Sequence, residues 1–141
     1  MGVINKLKNY VTGQGARVEM AFGNPEINGP EALQVTLTAE ATDDVLYAEQ
    51  VILQLRAIER SASSHVLYSD DLVLDKQVQL SPGQPSKWEQ SVAIPPHIAG
   101  TFVGKHSSFH WEVRGRLEAA GIDPKSEWQK FFVNRIPTTE H

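Results

Sequence analysis

Cysteine is absent from the 141 residues. That absence removes disulfides, thiolate zinc sites and cysteine nucleophiles in one step, and it fits a reducing compartment. No apolar run approaches the roughly 20 residues that span a bilayer, so no stable membrane insertion is expected. Asn5, Lys6 and Lys8 interrupt what would be a secretory h-region. Gly2 has the place of a myristoylation site, but Lys6 stands where that motif wants Ser or Thr. The expected location is the cytoplasm. An excess of positive charge is also missing: 13 Lys and Arg face 17 Asp and Glu, for a net charge of −4. Nucleic-acid binding needs a basic footprint, so nucleic acid is not an expected partner.

What is present is the composition of a folded globular chain, 40% hydrophobic and 21% charged. The length suits one domain, and at about 150 residues such a domain buries about 70% of its unfolded surface. Three segments are expected: an N-terminal lead (residues 1–15), a body (16–134) and a fraying tail (135–141). In the lead, Val3, Ile4, Leu7, Tyr10 and Val11 recur at helical spacing, with Lys6 and Lys8 elsewhere on the wheel. Gly13 and Gly15 end that short amphipathic helix.

The period then changes from about 3.6 to 2. Val18, Met20 and Phe22 alternate with polar neighbours, as do Leu33, Val35, Leu37 and Ala39. Residues 46–60 read as a long strand, with Val51, Leu53, Leu55 and Ala57 on one face and Gln54 and Arg56 on the other. Residues 66–80 read as two short strands, or as one interrupted by a bulge, with Asp70-Asp71 between the apolar pieces. Trp88, Gln90, Val92 and Ile94 alternate up to Pro95-Pro96, where the missing N–H ends the strand. Residues 100–104 read as a loop. The clearest strand follows: Phe109, Trp111, Val113, Gly115, Leu117 and Ala119 face one way, and His110, Glu112, Arg114, Arg116 and Glu118 the other. The last strand runs from Trp128 to Val133. Turn signals at short spacing and seven or eight strands argue an all-β, antiparallel, immunoglobulin-like β-sandwich, each sheet with a dry face and a wet one.

Candidate chemistry is sparse. His106 and His110 would lie about 13 Å apart on a strand. His110 and Glu112 share a face, but two ligands are too few for a structural metal. Asp43-Asp44 and Asp70-Asp71 lack the alternating spacing of a calcium loop and read as polar turns. Asp123-Pro124 reads as a turn initiator, and Arg114 or Arg116 as members of surface ion pairs. No nucleophile-elbow motif accompanies the serines and histidines, so neither an enzyme nor a cofactor is expected. Phe131 and Phe132 must point to opposite faces, which places Phe132, with Trp128, among the candidate interface residues together with Val3, Ile4, Leu7, Tyr10 and Val11.

Residues 81–133 run through Pro82-Gly83, Ile94-Pro95, Phe102-Val103-Gly104, Phe109-His110-Trp111-Glu112-Val113, Gly121-Ile122-Asp123-Pro124 and Phe132-Val133. This order resembles the closing half of an arrestin-type domain. The opening, an amphipathic lead and a Gly-rich step before Ala16-Arg17-Val18, is similar to the start of bacterial sporulation-control proteins, which share that fold. Members of that group usually carry two sandwiches in tandem, whereas 141 residues suffice for one. The resemblance implies a non-enzymatic adaptor, scaffold or regulatory module that binds a protein partner. A small-ligand or carbohydrate-binding sandwich is the alternative, and a self-assembling homo-oligomer is a third.

Overall fold

The computed structural model describes residues 15–121 and 123–134, and all of the regular structure there is strand. The predicted N-terminal helix, with Val3, Ile4, Leu7, Tyr10 and Val11, and the tail from residue 135 lie outside the described residues. Nine strands follow in order: β1 (Ala16–Phe22), β2 (Glu26–Asn28), β3 (Leu33–Ala41), β4 (Leu46–Arg60), β5 (Ser64–Leu80), β6 (Ser86–Val92), β7 (Phe102–Val103), β8 (Ser108–Ala119) and β9 (Gln129–Asn134). They form two sheets. The smaller has the order β1-β3-β6, the larger β2-β9-β8-β4-β5, with β7 paired to β8.

The alternation in the sequence is what stacks the sheets. In β3 every second residue, from Leu33 to Ala41, is buried. On β8 the residues Trp111, Val113 and Leu117 are sealed from water, side by side with Ala57, Leu55 and Val51 of the neighbouring β4 on the same inner face. Trp111 anchors the core: its indole N–H donates to the Ala99 carbonyl at 2.9 Å, and its ring packs on Tyr68, Phe109 and Phe131. At Gly115 the two sheets pack tightly: a Cβ there would collide with the Leu37 side chain, whose Cγ would lie 3.2 Å away. Only a residue without a side chain fits under Leu37.

Several features depart from the sequence reading. The sheets are not purely antiparallel, because β2 pairs with β9 in parallel. The supposed loop at 100–104 contributes the two-residue β7. β2 owes its existence to a distant partner, which local propensity does not encode, whereas β7 pairs with the nearby start of β8 across a short turn. For the 66–80 segment the second of the two expected alternatives holds: it is one strand, β5, with bulges against β4 between Val51 and Ile52 and between Ala57 and Ile58. Asp70-Asp71, read as a turn, therefore lies inside a strand.

That strand is the free edge of the larger sheet, and it is guarded. Bulges, charged residues and inward-pointing carboxylates are the means by which edges resist unwanted pairing. Asp70 and Asp75 lie opposite the core residues Leu55 and Val51. Asp75 accepts a 2.9 Å hydrogen bond from the Trp88 indole of β6, joining the two sheets at the side where neither has a further strand.

Candidate functional site

The outer face of the larger sheet was expected to be wet, and it is not uniformly so. Ile52 and Ile58 of β4 share parity with Gln54 and Arg56 yet are buried, and both stand outside the main core cluster. In the register Ile52 lies between Val73 and Arg116, and Ile58 between Val66 and His110. His110 is 7% exposed and Glu112 5%, so their reading as solvent-facing residues is corrected. Long neighbouring side chains lying flat can shield such a face while their charged ends stay near water.

Glu112 is the hub. Arg56 donates to its Oε1 from Nε at 2.9 Å and approaches the same oxygen from Nη2 at 2.8 Å. Its Oε2 lies 3.1 Å from His110 Nε2. Both carboxylate oxygens thus have partners, which is the condition for holding a charge under cover. The expected arginine pairing falls on Arg56 and on Arg116, which reaches Asp123 at 3.1 Å and Glu118 at 3.6 Å. Arg114 instead donates from Nε to Gln54 Oε1 at 2.7 Å, and Gln54 passes the contact to Asp71 at 3.2 Å. Burial, and then the charges of Arg56 and Arg116, hold the Arg114 pKa below its ordinary value.

Trp128 lies within this network. The Arg56 guanidinium carbon sits 3.8 Å from the Trp128 ring centroid and that of Arg114 4.5 Å, both within cation–π range. Next to the charged cluster the face opens into a groove of about 450 Å³, lined by residues that include Pro25, Val103, His110, Lys130, Phe131 and Phe132. Phe131 is core, and Phe132 is 45% exposed at the groove. The two described candidates, Trp128 and Phe132, therefore share one face and flank one surface. Arg56, Glu112 and Arg114 join them there.

The remaining candidates are scattered. Asp43-Asp44 occupy the turn between β3 and β4, and His106 the turn before β8. Among the described residues no group of three or more His, Asp or Glu side chains is placed to hold a metal ion. Trp88 is half-buried between the sheets, far from Trp128 in the strand order. Ser126, which the sequence reading passed over, is buried and holds the Gly115 N–H at 3.0 Å. No helix among the described residues is long and apolar enough to cross a membrane.

No family model matches the sequence, and no curated protein matches it. The fold does have a solved counterpart, the sporulation control protein Spo0M from Bacillus subtilis. The TM-score is 0.67 at 17% sequence identity, over 85% of this chain and 49% of the Spo0M chain. The chain thus spans about half the length of the protein it resembles. At this identity the likeness is one of fold: the body is an arrestin-like β-sandwich.

Proposed function

We propose that this arrestin-like sandwich is a non-enzymatic interaction module whose docking surface is the outer face of its larger sheet. One observation carries the reading: a buried, fully partnered Glu112 hub fixes a rigid polar cluster directly beside an exposed apolar groove. Protein interfaces combine these ingredients, with aromatic residues and arginine enriched. The guarded β5 edge favours docking on the face over addition of a strand there. A regulatory role in the cytoplasm is part of the proposal, supported by the fold shared with a sporulation control protein. The glycan-binding alternative is less favoured, because the Trp128 ring is already engaged by two guanidinium groups.

Site-specific photo-crosslinking in cells tests the assignment. A photoreactive residue in place of Phe132 is expected to trap a discrete protein adduct, and one in place of Asp44, in the β3–β4 turn, is not. Equal labelling at the two positions, or none at Phe132, would overturn the choice of surface.

A further inference from the structure

Among the outer-face arginines, Arg56 has Glu112 and Arg116 has Glu118 and Asp123; Arg114 and the exposed Arg60 form no ion pair with a described residue, and of these two Arg114 is the covered one, with only the charge of Asp71 acting in its favour. It is half-buried, and its Nε hydrogen bond goes to a neutral amide. A partly desolvated guanidinium beside two like charges gains more than an exposed one from an incoming carboxylate. Lys130, exposed on β9 in the wall of the groove and opposite Glu112 in the register, forms no ion pair with a described residue. The one carboxylate on the path from Arg114 to Phe132, Glu112, is already paired with Arg56, so Arg114 and Lys130 leave that path positive on a chain whose net charge is −4.

The distance along that path follows from the strand. Arg114 and His110 stand four residues apart on β8 and on the same face, which is about 13 Å at 3.3 Å per residue. His110 lies in the wall of the groove beside Phe132. A peptide laid along β8 in extended form has the same repeat, and its side chains at positions i and i+4 point the same way.

We infer that the face binds an extended peptide carrying a carboxylate for Arg114 and an apolar side chain, four residues away, for the Phe132 groove. The inference rests on the proposed docking surface and adds the chemistry of its partner. An acidic peptide suits the site better than a nucleic acid, because the groove is walled by Pro25, Val103 and Phe132 and the surrounding chain repels polyanions.

The test uses the full 141-residue chain and fluorescently labelled seven-residue peptides in which one Glu and one Leu stand two, three, four or five positions apart. Binding is read by anisotropy. The four-residue spacing is expected to bind about tenfold or more tighter than the two-residue spacing, the scale of one charge-assisted hydrogen bond. Arg114→Gln should erase that preference, Arg114→Lys should retain part of it, and Phe132→Ser should weaken every Leu-containing peptide. Arg116→Gln should change nothing, and thermal unfolding confirms that each variant is folded. Equal affinity at all spacings, insensitivity to Arg114→Gln, or tighter binding of a labelled single-stranded oligonucleotide would overturn the motif. If the motif fails while crosslinking at position 132 succeeds, the docking surface stands and only the partner chemistry is wrong. If both fail, the surface itself is wrong.

Discussion

Glu112 and Glu118 both sit on β8 and both face an arginine, yet burial separates their energetics. Glu118 meets Arg116 at the surface, where such pairs are worth about 0–1 kcal/mol. Glu112 is covered, and removing its charge leaves Arg56 beside a neutral amide. Breaking a buried pair costs about 3–5 kcal/mol; because Arg56 keeps some access to water, the lower end applies. Glu112→Gln is expected to lower urea-unfolding stability by about 3 kcal/mol, and Glu118→Gln by less than about 0.5 kcal/mol. Equal losses would show that Glu112 does not organise the face. Tyr68 gives a second test at this scale. Burial, reinforced by the charge of Asp70, raises its pKa above the ordinary 10.0. The folded state therefore holds the proton longer than the unfolded chain does. The stabilisation is complete below about pH 10 and is lost as pH rises through the folded value. Tyr68→Phe should flatten the alkaline fall in stability, measured by denaturant midpoints from pH 9 to 11.

Individual strands show which information is local. The inner faces of β3, β4 and β8 were legible because burial on one side forces a period of two. The outer face was less so. Nothing in the alternation distinguishes an exposed glutamate from one held under an arginine, because Arg56 and Glu112 are brought together only by the β4–β8 register. Ile52 and Ile58 were overlooked for the same reason, as were β2 and β7, which are too short to announce themselves without their partners. Asp70 misled in the opposite direction, since an exposed carboxylate on an edge strand has the composition of a turn. The edge makes its own prediction: Asp70→Val with Asp75→Val should raise the tendency to associate, seen as mass growth in light scattering, while single exposed-charge changes such as Glu89→Gln should not. At the centre of the sandwich, Gly115→Ala must displace Leu37 and should cost about 1–3 kcal/mol, the range for overpacking. A calorimetric Tm equal to that of the parent chain would contradict the close approach of the two sheets.

For the molecule as a whole, self-association through the lead segment is the property to measure. If residues 1–15 mediate self-association, light scattering should give the intact chain a mass above that of a monomer and a chain beginning at residue 14 the monomer mass. Monomers in both cases would assign the lead segment to a different partner. The overall class was readable because strand periodicity and turn signals accumulate over more than a hundred residues. Of the proposed site the sequence singled out only Trp128 and Phe132, since the remaining members converge from β4 and β8.

The three tryptophans occupy three unlike surroundings: Trp111 is sealed, Trp88 is hydrogen-bonded to a carboxylate, and Trp128 lies against two cations. Indole emission shifts with nearby charge, so the Trp128 ring at the proposed docking surface is a built-in optical reporter. In a Trp88→Phe background, any ligand that draws Arg114 away from Trp128 should announce itself as a change in emission wavelength, without a label and before its identity is known.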